Sequence, residues 1–311
     1  MEFGVLGPLR AVDAGVSRAP TAPKQRQMLA LLLLNANHVV SVAQFLEELW
    51  EGRPPSSAVA AVHTYVMHIR RTLGARPRVC PTAPERLHTR DQGYVLEVRP
   101  GELDLARYRD RLRAARKAAL RGDIPTGAAE LSAAEGLWHG PLLVDVTAGP
   151  LLRSSAEAIE RDRLRAVSCR IRAFLLLGRH HELLGELAAL VHRHTTDEDL
   201  AASLMLALYR SGRQADALTV FHRLRHTLRE ELGTSPSPRV QQLHMDLLAA
   251  HPRVEKPSGI HCGLSLNLLT DPLQDGAGPA LGPGRPPGTV DTDGAPSAGS
   301  GPMSFAGQQG T

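Results

Sequence analysis

The chain has 311 residues, of which 42% are hydrophobic, 22% charged and only 4% aromatic. Its three cysteines, Cys80, Cys169 and Cys262, have neither the spacing of a thiolate zinc site nor the density of a disulfide-bonded secreted domain. The longest apolar run is too short to span a bilayer, and no secretory leader pattern opens the chain. We therefore expect a globular, cytoplasmic protein of two domains, in a reducing compartment and without membrane contact.

The positive charge is concentrated near the start of the chain. The net charge is +4 overall, and residues 1–100 alone hold 12 Lys and Arg against 8 Asp and Glu. Such an excess is compatible with contacts to nucleic-acid phosphates, but domains with neutral partners have it too. Charge alone therefore favours nucleic-acid binding only slightly.

Short strands followed by helices are predicted at the start of the chain. Strands are expected at residues 2–6 and 9–12, separated by a Gly-Pro turn, and a helix is expected from Pro23. Ser41 and Gln44 have the spacing of a capping box, which predicts that a second helix begins there. The first fifty residues should thus contain a small sheet and two helices.

A third helix and a β-hairpin complete the first hundred residues. The stretch AAVHTYVMHIRRTLG, residues 60–74, has apolar residues at helical spacing. Two short runs, 87–90 and 94–98, flank the sequence Asp-Gln-Gly, and this pattern predicts a hairpin whose turn is permitted by Gly93.

Beyond Gly101 the chain is predicted to be helical to about residue 250. The predicted helices, joined by turns rich in Gly or Pro, are 104–121, 126–138, 150–177, 180–193, 197–210, 214–231 and 237–249. Gly178 and Gly212, each followed by Arg, recur 34 residues apart, and Ala217 and Phe221 follow the second copy at the small and aromatic positions of a tetratricopeptide repeat. Leucines hold both positions in the first copy. We expect a tetratricopeptide-like array, with an unrelated helical bundle as the alternative.

The end of the chain is predicted to be a disordered tail over residues 253–311. It is rich in Pro, Gly, Ser and Asp, and cannot bury enough apolar surface to offset its ordering entropy. The apolar residues of CGLSLNLL leave two interpretations open, a frayed extension or a short docking segment.

The third helix has two different sides. Its apolar stripe comprises Val62, Val66, Ile69 and Leu73. The opposite side comprises Thr64, Met67, His68 and Arg71. No Asp or Glu occurs between Gly52 and Pro84. A DNA major groove admits such a helix, because Arg can donate to guanine edges or phosphates and Thr or Met can contact a thymine methyl. The alternative is an ordinary solvated basic surface.

The order of strands, three helices and a terminal hairpin is that of an OmpR-type winged helix, whose third helix enters the major groove. The segments APKQRQMLALLLLNANHVVSVAQFLEELW, GRPPSSAVAAVHTYVMHIRRTLG and LREELGTSPSPRVQQLHMDLLAAH resemble those of the Streptomyces antibiotic regulatory proteins (SARPs), in order over roughly residues 1–250. The resemblance implies a mainly α fold: a winged-helix DNA-binding domain at 1–100, then a tetratricopeptide-like bacterial transcriptional activation domain at 101–252.

The resemblance also implies a function. Members of this family activate secondary-metabolite gene clusters by binding direct repeats near the −35 promoter region and recruiting RNA polymerase. The implied partners are double-stranded promoter DNA and the polymerase holoenzyme with its sigma factor, contacted by a homodimer on DNA. A GxxxxGK[ST] phosphate loop is absent from the sequence, so the chain resembles the small family members and no cofactor is expected.

Carried over position by position, the resemblance implies a set of DNA contacts. The family's Tyr-Val-x-x-Ile/Leu-Arg-Arg core falls on Tyr65, Val66, Ile69, Arg70 and Arg71. Thr64 and Met67 would face bases, whereas Tyr65, His68, Arg70 and Arg71 would be phosphate contacts or helix-edge supports. Many relatives carry Ser-Arg where this chain has Met67-His68, so we expect a different base preference and phosphate anchoring that is weaker or depends on pH through His68.

The expected site extends beyond the third helix. Arg90 and Gln92 lie in the predicted hairpin, and Lys24 and Arg26 are expected to flank the DNA backbone. Metal-site and catalytic motifs are absent from the sequence, which argues against an enzyme. Two other functions stay open: a tetratricopeptide-like interaction adaptor without independent DNA binding, and a ligand-sensing regulator with a small-molecule pocket in residues 101–252.

Overall fold

The computed structural model describes residues 1–74 and 85–255. The strands are β1 (Glu2–Gly4), β2 (Arg10–Asp13), β3 (Val16–Ser17), β4 (Val40–Ser41), β5 (Leu87–Arg90) and β6 (Gly93–Leu96). The helices are α1 (Pro23–Leu34), α2 (Val42–Trp50), α3 (Ala58–Gly74), α4 (Asp104–Leu120), α5 (Ile124–Glu135), α6 (Pro150–Leu176), α7 (Leu184–Arg193), α8 (Glu198–Arg210), α9 (Gln214–Leu232), α10 (Pro238–Leu248) and α11 (Pro252–Glu255). Within these residues, no helix is long and apolar enough to cross a membrane.

The predicted fold class, mainly α with an N-terminal winged helix and a following helical domain, is confirmed. The helix predicted at 180–193 differs, because a 3-10 turn at His180–Leu183 precedes α7. The tail was predicted from residue 253, but α11 continues to Glu255. The rest of the predicted tail, residues 256–311, lies outside the described residues.

The strands form two small antiparallel sheets, in the orders β1-β2-β3 and β4-β6-β5. β3 and β4 were not predicted, since two residues are too few to show an alternating pattern. The first and last strands end earlier than predicted because side chains take over their backbone groups. Asp104 accepts the N–H groups of Val5 and Leu6, and Asn37 accepts that of Val98 (2.9 Å).

The sequence signals for α2 and α3 hold in the structure. The capping box is present, with the Gln44 N–H donating to Ser41 Oγ (3.2 Å) and the Ser41 N–H donating to Gln44 Oε1 (2.9 Å). The predicted apolar stripe of α3 is buried against α1 and α2. α2 and α3 therefore pack together as the helix pair of a winged helix.

Gly93 is needed for a different reason from the predicted one. Its backbone is not left-handed; the left-handed residue of the turn is Asp91, at φ 22°. A Cβ on Gly93 would lie 2.3 Å from the carbonyl oxygen of Val40, far inside van der Waals contact. Glycine at this position lets β6 approach β4 and so attaches the hairpin to the start of α2.

A turn with a left-handed glycine recurs three times in the helical domain. Gly122, Gly178 and Gly212 lie two residues after the ends of α4, α6 and α8, with φ of 74°, 72° and 75°. In each turn the N–H of the residue after the glycine donates to the carbonyl five residues before it, at 3.0, 2.9 and 2.9 Å. A left-handed residue here satisfies carbonyls at the helix end and is cheapest for glycine. The turns at Gly178 and Gly212 were predicted from their spacing, whereas the one at Gly122 was not.

Glu48, in α2, connects the winged helix to the helical domain. Glu48 is only 1% exposed. Its carboxylate accepts the N–H groups of Gly149 (2.6 Å), Leu151 (2.9 Å) and Leu152 (3.0 Å) at the start of α6. These donors have no partner within the helix, and negative charge is favoured at this end of the helix dipole. Gln27 also donates to Glu48 (2.8 Å), so the carboxylate is shared by α1, α2 and α6.

The loop between β1 and β2 is held by two further carboxylates of the helical part. Asp104 accepts the N–H groups of Val5 (3.0 Å) and Leu6 (3.1 Å), and Asp145 accepts that of Leu9 (2.7 Å). Burial raises the pKa of Asp104, although the hydrogen bonds that it accepts act in the opposite direction. These contacts fix the first strands to the segments around α4 and α6.

A pair of charges fixes the base of the hairpin. Arg86, just before β5, donates two hydrogen bonds to Glu102 (2.6 and 2.8 Å), and the Arg99 N–H donates a third (2.9 Å). Burial opposes ionisation of Glu102, but the hydrogen bonds from Arg86 and Arg99 and the nearby positive charges outweigh it and lower its pKa to about 2. β5 is thereby attached to the segment that leads into α4.

One hydrophobic core runs from the first strands into the start of the helical domain. It includes Phe3 of β1, Leu105 of α4, Trp138 in the connection after α5, and Leu152 of α6. A second core lies among the later helices up to α11. The first core therefore continues across residue 100, where we expected the domain boundary.

We predict that Glu48→Ala lowers the free energy of unfolding by about 3–5 kcal/mol, because it leaves several buried donors without an acceptor. Urea unfolding measures this change. Glu47→Ala, which removes the exposed carboxylate next to it, is the control and should cost less than about 0.5 kcal/mol. Equal stability of the two variants would contradict the role given to Glu48.

Candidate nucleic-acid interface

The outward side of α3 is a continuous exposed stripe. It comprises Ala60, His63, Thr64, Met67 and Arg71. Met67 is 67% exposed, a high value for a large apolar side chain. At 100° per residue, His63 and Arg71 lie about 40° on either side of it. The stripe therefore offers an apolar centre between two nitrogen-bearing side chains, and contains no acidic residue.

His63 was missing from the predicted contacts. The sequence contained the necessary signal, since its angular distance from Met67 equals that of Arg71. The predicted contacts included His68 instead, which the structure places at the edge of the exposed stripe. His68 is half-buried, and its Nδ1 is 3.0 Å from Nε2 of Gln25 in α1.

Thr64 and Tyr65, two further predicted contacts on α3, differ in their exposure and hydrogen bonding. The hydroxyl of Thr64 donates to the Ala60 carbonyl (2.9 Å), so towards a ligand it can only accept a hydrogen bond. Tyr65 is half-buried and packs against the first core. Thr64 thus belongs to the exposed stripe, whereas Tyr65 supports the helix from its edge.

The two arginines at the end of α3 have different surroundings. Nε of Arg70 is 2.8 Å from the Leu87 carbonyl and 2.7 Å from Oε1 of Glu85, and its Nη2 donates to Thr89 (2.8 Å). Arg71 is exposed, and its side chain makes no hydrogen bond or ion pair with any residue in 1–74 or 85–255. Arg70 therefore supports the hairpin, and the charge of Arg71 is available.

The hairpin presents a second exposed group beside α3. Its turn consists of Asp91 and Gln92, and Arg90 pairs with Gly93 at the last register position of the strands. The Gln92 carbonyl accepts the N–H of Val42 (3.0 Å), which holds the turn at the start of α2. The side chains of Arg90 and Gln92 remain exposed.

Lys24 and Arg26 do not join these exposed groups. The Lys24 ammonium donates to the Leu49 carbonyl (3.1 Å) and lies 4.1 Å from the ring centre of Trp50; burial lowers its pKa. Arg26 pairs with Asp145, so it belongs to the contact between the winged helix and the helical domain. The structure thus brings the residues of α3 and the hairpin together but directs these two cations elsewhere.

Comparison with known families agrees with this division of the chain. Residues 17–96 match the family described as "Transcriptional regulatory protein, C terminal", and residues 103–248 match the bacterial transcriptional activator domain. A winged helix with an exposed, acid-free third helix, joined to such a domain, defines a DNA-binding transcriptional regulator.

Individual relatives specify the family. The chain is 38% identical to the regulatory protein DnrI of Streptomyces peucetius, over 82% of this chain and 95% of DnrI. It is also 38% identical to the regulatory protein AfsR of Streptomyces coelicolor, over 83% of this chain but 25% of AfsR. The chain belongs to the Streptomyces antibiotic regulatory proteins, the SARP family of transcriptional activators.

A solved structure has the same fold. Mycobacterium tuberculosis EmbR, in complex with a low-affinity phosphopeptide, superimposes with a TM-score of 0.72 at 33% sequence identity. The match covers 82% of this chain and 68% of that one. The winged helix and the helical domain therefore recur together in EmbR.

We predict that Arg70→Ala loosens the hairpin while α3 stays folded, because it removes the hydrogen bonds from α3 to β5. Hydrogen exchange of the β5 and β6 amides should accelerate, by about tenfold for a loss of about 1.4 kcal/mol. Arg71→Ala is the matched control and should leave this exchange unchanged. Equal protection of the hairpin in both variants would show that Arg70 does not support it.

Proposed function

We propose that the protein activates a secondary-metabolite gene cluster by binding direct repeats near the −35 promoter region. The observation that carries this proposal is the exposed stripe of α3, which lacks acidic residues and lies beside a hairpin with free polar side chains. A stripe of this kind suits the major groove, and a hairpin beside it suits the minor groove or the phosphates.

Each exposed residue has a role in this proposal. Met67, at the centre, contacts base edges and favours thymine methyl groups, and Thr64 accepts a hydrogen bond from a base amino group. Arg71 donates to phosphates. His63 lies on the other side of Met67 and joins the set because it is also exposed.

The remaining predicted residues support the contact. Arg90 and Gln92 meet the DNA backbone from the hairpin, and Ala60 lets the helix approach closely because it is small. Tyr65, His68 and Arg70 hold α3 in place through neighbouring elements. Lys24 and Arg26 have internal partners and are left out of the proposed contact surface.

The helical domain supplies the second half of the function. In this proposal residues 101–252 pair two copies of the chain on the DNA and contact RNA polymerase holoenzyme with its sigma factor. Because Glu48 and Asp145 tie this domain to the winged helix, binding at a promoter would position it beside the polymerase. The protein would act in the cytoplasm, on the nucleoid.

We predict that Arg71→Ala weakens binding to specific and random DNA alike and lowers the slope of log affinity against log salt by about 1, because one phosphate contact is lost. Met67→Ala should change base preference and leave that slope unchanged. Mobility-shift titrations on a promoter fragment with direct repeats measure both effects. Arg165→Ala, an exposed arginine of α6, is the control. Wild-type behaviour of both α3 variants would contradict the proposed surface.

We predict that the full chain increases transcription in vitro from a promoter whose direct repeats overlap the −35 region. The increase should disappear when the repeats are scrambled and should fall with Arg71→Ala, because the polymerase is recruited through bound protein. Run-off transcription with purified holoenzyme measures this. DNA binding without any increase in transcript would keep the DNA surface and reject the proposed recruitment.

A further inference from the structure

A groove lies between α5, α6 and α7 of the helical domain, and its lining residues include none from α3. Its volume is about 420 Å³. Its apolar lining residues are Leu164, Val167 and Leu190. The volume falls in the range of small-molecule sites, which are typically about 300–1,000 Å³ and mostly apolar.

The acidic side chains that line the groove are all engaged. Glu135 accepts a hydrogen bond from Arg163 (2.6 Å), and Glu160 lies 3.7 Å from the same guanidinium. Glu186 pairs with Arg170. Arg163 therefore lies beside two of these carboxylates and Arg170 beside the third, and Glu160 also accepts the N–H of Leu142 (3.0 Å).

Two cationic lining residues are not engaged. Arg161 and Arg193 are exposed and make no ion pair or side-chain hydrogen bond in the part of the chain that the structure describes. His194, also exposed, lies next to Arg193. The available charges around the apolar surface are therefore positive.

We infer that this groove binds a small molecule with an apolar body and a carboxylate group, a site beyond the proposed DNA function. The hydrocarbon or aromatic body covers Leu164, Val167 and Leu190 and removes apolar surface from water. The carboxylate accepts hydrogen bonds from Arg161 and Arg193, since guanidinium groups recognise carboxylates through charge-assisted, often paired, hydrogen bonds.

The structure offers a fluorescent reporter for this groove. The guanidinium of Arg163, one of the lining residues, lies 4.1 Å from the ring centre of Trp138. The chain contains two tryptophans, the other being Trp50 in α2. Trp50→Phe therefore leaves Trp138 as the single tryptophan, and a ligand that contacts Arg163 changes its emission.

The test uses octanoate and 4-phenylbutyrate on full-length Trp50→Phe protein, with octan-1-ol and octylamine as neutral and cationic counterparts. Both carboxylates should produce a saturable change in Trp138 emission, and the alcohol and amine should bind at least about tenfold more weakly. Adding Arg161→Ala and Arg193→Ala together should weaken carboxylate binding by at least about tenfold.

The matched control removes the same charge elsewhere. Arg165→Ala with Arg223→Ala deletes two exposed arginines that do not line the groove, and carboxylate affinity should stay within about twofold. The inference is overturned if neither carboxylate binds saturably, if octan-1-ol binds as tightly, or if the Arg161 and Arg193 double variant binds like its parent. DNA binding is not part of the readout, so failure here leaves the proposed function intact.

Discussion

The hydrogen bonds from the start of α6 to the buried carboxylate of Glu48 are the constraint on which the rest of the structure depends. A carboxylate in the interior is costly unless its hydrogen-bonding capacity is filled, and three backbone N–H groups and Gln27 fill it here. Because Glu48 belongs to α2, the helix pair of the winged helix cannot be positioned independently of α6. The shared core around Trp138 and Leu152 adds apolar burial to the same contact.

The contact between the winged helix and the helical domain decides which cationic side chains remain available to bind a nucleic acid. Arg26 faces the helical domain because Asp145, between α5 and α6, is held against it. Arg70 supports the hairpin, and Lys24 covers the end of α2. The surface proposed to contact DNA is what internal pairing leaves exposed, namely the stripe around Met67, with Arg71, and the tip of the hairpin. The similarity to DnrI and AfsR identifies the family. Within this chain, the hydrogen-bond and ion-pair partners distinguish cationic residues that look equivalent in the sequence.

Prediction from the sequence succeeded where a signal is local. Capping at Ser41 and Gln44, the buried stripe of α3 and the hairpin around Asp91 all depend on residues within a few positions of each other. The turns at Gly178 and Gly212 were predicted from a repeat of the same short motif. It was less accurate where partners are distant along the chain. The first strand ended early because Asp104 takes the next two N–H groups, and Gly93 is required by its approach to Val40.

The sequence by itself determined most of the helices, the cap of α2, the family and the side of α3 that must be buried, because periodicity and capping are properties of neighbouring residues. Tertiary structure alone decided the partners of charged side chains that pair between elements distant along the chain, such as Arg26 and Arg70. Arg70 and Arg71 are adjacent and chemically identical, yet Arg70 lies against the hairpin and Arg71 faces solvent. Consecutive residues on a helix point about 100° apart, so only the position of the packed hairpin settles which arginine is available.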